Sequence, residues 1–81
     1  MRIDKFLKNS RVIKRRTIAN EACDDGRITV NGRVVKASYQ VAVGDVGEVG
    51  FGSRILKFRV LSINEHASKE NAALQHEIIE E

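Results

Sequence analysis

The spacing of apolar residues changes at Gly26, and this change constrains the fold more than any other feature of the chain. In residues 3–23, apolar side chains recur three and four positions apart, which is typical of helices with one buried side. In residues 28–30 they alternate with polar ones, as in a half-buried strand. Asn31 and Gly32 follow, and both accept the positive φ of a tight type I′ hairpin turn. The sequence therefore predicts an α+β fold, with helices first and antiparallel strands after them.

The region before Gly26 predicts two helices. The first takes the first dozen residues. The second starts at Thr17 and ends at residues 24–26, where Gly26 suits a left-handed helix cap. The apolar residues assigned to the buried sides of these helices are Ile3, Phe6, Leu7, Val12, Ile13, Ile18, Ala19, Ala22 and Cys23.

The region after the hairpin predicts further strands at residues 46–51 and 54–63. A short helix is expected at 68–74, and residues 78–79 either add an edge strand or extend that helix. We therefore predict two to three N-terminal helices packed on a small curved, mostly antiparallel sheet, with a short C-terminal extension.

The length of 81 residues fits one small domain and leaves no room for a second. No apolar stretch approaches the roughly 20 residues that cross a bilayer, and the N-terminus lacks the pattern of a secretory signal. We therefore expect a cytoplasmic chain without a membrane contact. The single cysteine, Cys23, excludes an internal disulfide and a multi-cysteine metal site.

The charge is divided unevenly along the chain. Residues 1–36 hold ten Lys and Arg against four acids, a net charge of +6, whereas residues 37–81 hold four against seven, a net charge of −3. A segregated basic surface attracts polyanions more strongly than an evenly mixed one. Nucleic acid is therefore the leading candidate for a partner.

The basic segment, residues 2–16, holds seven cations and a single acid, Asp4. Helix N-termini and guanidinium groups both bind phosphate oxygens well. We favour phosphate binding over a merely solvated charged face, with Asp4 capping the helix or orienting Arg2. Arg27 and Arg33 beside the hairpin either extend this surface or are solvated strand ends. The predicted phosphate-contacting residues of a nucleic-acid interface are Arg2, Lys5, Lys8, Arg11, Lys14, Arg15, Arg16, Arg27 and Arg33.

The few aromatic residues argue against recognition by base stacking. Phe6, Phe51 and Phe58 occupy apolar positions typical of a core, which leaves Tyr39 as the one exposed stacking candidate. We therefore expect recognition of backbone shape and phosphate position.

No catalytic constellation emerges. His66 and His76 lack partners at nucleophile or metal spacing, and Cys23 lies on the apolar side of its helix. The glycines of residues 44–52 suit strand bends better than a phosphate loop. We predict a non-enzymatic chain without a metal or a cofactor.

Several ordered motifs together resemble a known family. They are RIDKFL at 2–7, SR at 10–11, KRR at 14–16, GRITVNG at 26–32, VK at 35–36 and VGD at 43–45. This combination resembles the S4-like (alpha-L) RNA-binding domain, which implies such a domain at residues 1–63 with its core motif at 2–45 and an acidic extension at 64–81. Over nearly its whole length the chain is most similar to the RqcP family of small ribosome quality-control proteins, relatives of the ribosome-recycling heat-shock proteins.

The resemblance implies a role on the ribosome. Members of this family bind large ribosomal subunits obstructed by peptidyl-tRNA, contact both large-subunit rRNA and the tRNA, and support alanine tailing by an RqcH-type factor. Arg2, Arg15 and Arg16 match the RNA-contacting motif of the family by position. We expect a ribosome-associated monomer.

Two alternatives remain open on the sequence. The first is a different ribosome-associated role for the same domain, in recycling or in assembly of the large subunit. The second is a protein-interaction adaptor, which binds a partner through its basic face or its acidic C-terminal half.

Overall fold

The computed structural model describes residues 1–63 and 75–79. The helices are α1 (Ile3–Asn9) and α2 (Arg16–Asp24). The strands are β1 (Ile28–Val30), β2 (Arg33–Val34), β3 (Val46–Phe51), β4 (Arg54–Val60) and β5 (His76–Ile78). The helix expected at 68–74 and the last two acidic residues lie outside the described residues.

The strands form one open sheet in the order β2-β1-β3-β4-β5, and every pairing is antiparallel. The strand alternative for residues 78–79 is confirmed, because Ile78 pairs with Phe58 of β4. Together with the two helices, this sheet confirms the predicted α+β fold. Neither helix in the described part of the chain combines the length and apolar character needed to span a membrane.

The turn between β1 and β2 has the predicted backbone. Asn31 has φ of 52° and Gly32 has φ of 83°, as a type I′ turn requires. The Asn31 side chain also ties the turn to β3: its Oδ1 accepts a hydrogen bond from the Val46 amide at 3.1 Å, and its Nδ2 donates to Asp45 at 3.2 Å. The hairpin is therefore held by a tertiary contact as well as by its own turn.

The first helix is shorter than predicted. It ends at Asn9, and Arg11 adopts a left-handed φ of 64°, a backbone position that commonly terminates helices. Ile13 is nevertheless buried, and its amide donates to the Leu7 carbonyl at 3.0 Å. The apolar series therefore continues past the helix through the connection, where periodicity alone does not reveal the end of the helix.

The second helix begins one residue before the predicted Thr17 and ends as expected, with Gly26 at φ of 74°. Ala19, Ala22 and Cys23 are buried. The assignment of Ile18 to the buried side is wrong, because its side chain is 46% exposed.

Both helices pack against the sheet to form one core. The Phe6 ring of α1 stacks on the Phe58 ring of β4, with centroids 6.1 Å apart and an interplanar angle of 27°. The prediction that Phe51 belongs to this core is wrong, since it is 44% exposed at the end of β3, opposite Arg54. The buried hydrophobic residues include Ile3, Phe6, Leu7, Ile13, Ala19, Ala22, Cys23, Ile28, Val30, Val49, Phe58 and Val60.

Candidate nucleic-acid interface

Arg2 is fixed in place by its backbone. It is the extended N-cap residue of α1 and forms an isolated antiparallel bridge with Gln40. The next amide, of Ile3, donates to the Tyr39 carbonyl at 2.7 Å. This pairing places Arg2 where the start of α1 meets the segment that follows the β1–β2 hairpin.

Asp4 joins Arg2 to the second helix. Its carboxylate lies 3.3 Å from Nε of Arg2 and 3.4 Å from Nε of Arg16, the first residue of α2. Asn20, one turn further along α2, donates its Nδ2 to Asp4 Oδ2 at 3.3 Å. We call Arg2, Asp4, Arg16 and Asn20 the Asp4 cluster. The contact with Arg2 agrees with the alternative in which Asp4 orients Arg2, whereas the sequence does not predict the contact with Arg16.

The cluster holds Asp4 in its ionised form. Burial raises the pKa of Asp4, but hydrogen bonds from Asn20, Arg16 and the Lys5 amide, together with the charge of Arg16, outweigh it and lower the pKa below its usual 3.8. Asp4 is therefore a carboxylate at neutral pH, and its Arg neighbours remain on the surface.

A second group of cations lines a groove of about 360 Å³ beside the end of α1. Lys8, Arg11 and Lys14 surround it together with Asn9, and all three cations are exposed. None of the three forms a side-chain ion pair with a described carboxylate. We call this the Lys8 groove, and its positive charge is available to an external anion.

Arg15 and Lys5 complete the basic segment. Arg15 is the N-cap of α2, and its exposed side chain makes no capping hydrogen bond. Lys5 lies on α1 and is half-buried. The cations of the segment thus lie along α1, the connection that follows it and the start of α2.

Arg27 and Arg33 lie apart from this segment in the chain. Arg27 pairs with Asp25 at 3.0 Å, and Arg33 is exposed on β2. An ion pair with Asp25 competes with phosphate for Arg27. The contribution of both residues to an interface stays a prediction.

The structure adds two residues that the sequence does not single out as site residues. A groove of about 650 Å³ runs between α2 and residues 34–38, and Arg2, Asn20 and Lys36 contribute to its lining. Lys36 is the tenth cation of the basic half and belongs to the VK pair at 35–36, but the sequence does not single it out as a site residue. Asn20 carries no indication of such a role beyond its position one helical turn after Arg16.

Tyr39 is not the exposed stacking platform that the sequence predicts. Its ring is half-buried against the core, and its hydroxyl donates to Asp45 Oδ2 at 3.2 Å. Burial and then the Asp45 carboxylate raise the pKa of Tyr39. The tyrosine therefore supports the loop before β3 rather than presenting a free ring to a base.

Of the remaining candidates for chemistry, His76 lies on β5, whereas His66 lies outside the described residues. Cys23 is buried in the core. Within residues 1–63 and 75–79, no three His, Cys, Asp or Glu side chains come close enough to hold a metal ion. The arrangement of the described residues suits binding of a polyanion through several phosphates.

Comparison with known proteins agrees with this geometry. The family model of the S4 domain matches residues 1–46, which include α1, α2, the hairpin and the whole basic segment. The RQC P-site tRNA stabilizing factor of Streptococcus pneumoniae is 49% identical over all 81 residues and is covered to 92% of its length. The protein of the same name from Bacillus subtilis is 47% identical over all 81 residues and is covered to 94%.

Solved structures share the fold. Heat Shock Protein 15 of Vibrio cholerae, described as trimeric, superposes with a TM-score of 0.87 over 98% of this chain and 81% of its own, at 22% identity. The solution structure of the hypothetical protein HP1423 superposes with a TM-score of 0.83 over 100% of this chain and 99% of its own, at 30% identity. The chain therefore belongs to the S4-domain family and, within it, to the family of the RQC P-site tRNA stabilizing factors.

Proposed function

We propose that this chain is a non-enzymatic RNA-binding factor of ribosome-associated quality control, which stabilises peptidyl-tRNA in the P site of obstructed large subunits. The names of its relatives support this function. The observation that carries it is the accumulation of cations around α1 and the start of α2, where the Lys8 groove has no neutralising carboxylate among the described residues.

The chemistry of the surface suits phosphate backbones. Arg2 and Arg16 offer planar guanidinium groups next to Asp4, and the Lys8 groove adds three exposed cations. No described aromatic ring is free for stacking near these residues, since the Tyr39 ring packs against the core and its hydroxyl donates a hydrogen bond to Asp45. The interface would therefore read the shape and phosphate spacing of rRNA and tRNA rather than base identity.

The remaining parts of the proposal extend the sequence expectations. The chain would contact large-subunit rRNA and the tRNA together, support C-terminal alanine tailing by an RqcH-type factor, and act as a cytoplasmic monomer without a cofactor. Light scattering of the purified chain tests the monomer, for which the expected mass is 9.1 kDa.

A gradient experiment tests the proposed function. Tagged chain is sedimented through sucrose gradients of cell lysate, and the RNA in its fractions is sequenced. The variant Lys14→Ala with Arg15→Ala removes two exposed cations of the basic segment that make no ion pair among the described residues. The matched control, Arg54→Ala with Arg59→Ala, removes the same charge from β4 and breaks the surface pair between Arg59 and Glu77.

The expected result has three parts. The wild type and the β4 control sediment with free large subunits enriched in tRNA, whereas the Lys14 and Arg15 variant moves to the top of the gradient with an unchanged melting midpoint. A wild type that stays at the top, or follows the small subunit, contradicts the proposed function. An equal loss of binding in both double variants would instead show that binding depends on the net charge of the chain and not on the position of the basic segment.

A further inference from the structure

We propose that Asp4 is a positioning residue for RNA binding, whose carboxylate holds the guanidinium groups of Arg2 and Arg16 side by side as one phosphate-binding unit. This inference rests on the proposed function and assigns a role within the same site to an acidic residue. The juxtaposition that carries it is a buried carboxylate between two half-exposed arginines, one the N-cap residue of α1 and the other the first residue of α2.

The contacts of Asp4 with both arginines are two-point contacts. Arg2 approaches with Nε at 3.3 Å from Oδ1 and Nη2 at 3.4 Å from Oδ2. Arg16 approaches with Nε at 3.4 Å from Oδ2 and Nη2 at 3.5 Å from Oδ1. Each guanidinium thus faces Asp4 with the same edge, and two-point contact fixes the plane of a guanidinium as well as its distance.

Solvent exposure distinguishes Asp4, which positions the arginines, from Arg2 and Arg16, which would bind the phosphate. The Asp4 side chain is 3% exposed, whereas those of Arg2 and Arg16 are 45% and 47% exposed. A guanidinium has five N–H donors, so contacts through Nε and one Nη leave further donors on each arginine for a phosphate. Asp4 itself is too deeply buried to meet an RNA directly.

Asp4 is in turn oriented by neutral donors. The Lys5 amide donates to Oδ1 at 2.8 Å, and Asn20 Nδ2 donates to Oδ2 at 3.3 Å. One donor comes from α1 and the other from α2, so the carboxylate is fixed relative to both helices. The bridge to Gln40 also holds the backbone of Arg2, which leaves its side chain as the part that Asp4 must position.

Positioning and simple electrostatics predict opposite results when Asp4 is neutralised. Asp4→Asn adds one positive charge to a basic surface, so a mechanism of electrostatic attraction alone predicts tighter RNA binding. If Asp4 aligns the arginines, its loss separates them and binding weakens. The sign of the change therefore decides between the two mechanisms.

The experiment measures the dissociation constant of the full chain for purified large ribosomal subunits that carry peptidyl-tRNA. We expect Asp4→Asn to weaken binding about tenfold, as for the loss of one well-placed charged contact. Glu77→Gln is the control, because it makes the same charge change at an exposed carboxylate of β5 and is expected to leave binding unchanged or slightly tighter. Binding by Asp4→Asn that is equal to or tighter than that of the wild type overturns the inference.

A swap of two side chains separates positioning from stability. Asp4→Asn combined with Asn20→Asp exchanges carboxylate and amide across their 3.3 Å contact and restores the net charge of the wild type. We expect the swap to recover most of the affinity, and to return the Nε–Hε NMR signals of Arg2 and Arg16, shifted in the single variant, toward their wild-type positions. A swap that folds but recovers neither contradicts the inference.

A third variant keeps the test decisive if Asp4→Asn does not fold. Asn20→Ala removes one donor that orients the carboxylate and leaves every charge in place, so we expect binding to weaken threefold to fivefold, or about the effect of one hydrogen bond. Unchanged binding by a folded Asn20→Ala overturns the inference. A failure of the proposed function gives a different result, because in that case the wild type itself does not bind the subunits.

Discussion

At the scale of single residues, the folded chain places its charged groups according to the cost of burying them. Asp4 is buried because four donors surround its carboxylate, and an ionised carboxylate without such partners would be expelled or protonated. The cations around it keep their polar ends in water. Asp4, the one acid of the basic segment, is therefore buried among the groups that it binds.

The pKa of Asp4 predicts a specific loss of stability in acid. Because this pKa is lowered in the folded chain, ionised Asp4 stabilises the fold above its unfolded value of 3.8, and that contribution is lost as the pH falls through the folded pKa. We expect the melting midpoint of the wild type to exceed that of Asp4→Asn near neutral pH, and the difference to shrink well below pH 3.8. Thermal melts of both proteins across this range measure it. A difference that is independent of pH would mean that the charge of Asp4 does not stabilise the fold.

Cys23 is predicted to be chemically inert in the native chain. Burial, and then the nearby charges of Asp4 and Asp24, raise its pKa to about 11, so the reactive thiolate is rare at neutral pH. We expect iodoacetamide to leave the native chain unmodified under conditions in which it alkylates the same chain in guanidinium chloride, as followed by mass spectrometry. Equal rates of alkylation in the two states would contradict the buried position.

At the scale of elements, the packing of the β3–β4 hairpin against α1 depends on Gly47. Gly47 lies opposite Phe58 in the register, and the Phe58 ring occupies the space where a side chain at position 47 would stand. A Cβ at Gly47 would lie 2.8 Å from Cε1 of that ring, closer than real side chains approach. The glycine therefore allows Phe58 to stack on Phe6 between the sheet and α1.

This packing predicts different effects for two similar substitutions. Gly47→Ala should lower the free energy of unfolding by about 1 to 3 kcal/mol, because the Phe58 ring must move within a packed core. Gly50→Ala is the matched control in the same strand, since its nearest neighbour would lie at 3.7 Å, and we expect a change of less than about 1 kcal/mol. Chemical denaturation measures both. Equal effects would contradict the packing of Phe58 against Gly47.

At the scale of the whole molecule, the described residues concentrate positive charge on the two helices and their connection. The basic segment runs from the start of α1 to the start of α2, whereas all seven acids of residues 37–81 follow the β1–β2 hairpin in the sequence. Such a molecule approaches an RNA surface in a preferred orientation, because its field is directional. The sheet and core then serve to hold α1 and α2 in fixed relation.

The salt dependence of binding tests this description of the whole molecule. Each phosphate neutralised by a cation contributes roughly 0.7 to 0.9 to the slope of log affinity against log salt concentration. We expect a steep slope for the wild type on large subunits, and a slope smaller by about 1 for each phosphate that the Lys14→Ala and Arg15→Ala variant no longer neutralises. The Arg54→Ala and Arg59→Ala control should keep the wild-type slope. A shallow slope in all three proteins would favour an adaptor that binds through an apolar protein interface.

Several features of this fold are predictable because they depend on neighbours in the chain. The type I′ turn needs only the preference of Asn31 and Gly32 for positive φ, and the burial of Ile28 and Val30 follows from strand alternation. The end of α1 is not predictable in this way, because the apolar series continues to Ile13 after the helix has stopped. Nor is the exposure of Phe51, since alternation assigns a face of the sheet but not the extent of the core that covers it.

The order of helices and strands, the hairpin turn and the concentration of cations before residue 17 are all written in the sequence, because they arise from short-range spacing and composition. Folding in three dimensions is what brings Asp4 to Arg16 and Asn20, and what bonds Tyr39 to Asp45 instead of leaving it in solvent. Each of these contacts needs the relative placement of two segments. That placement is set by the packing of both helices on the sheet, and local preferences along the chain do not encode it.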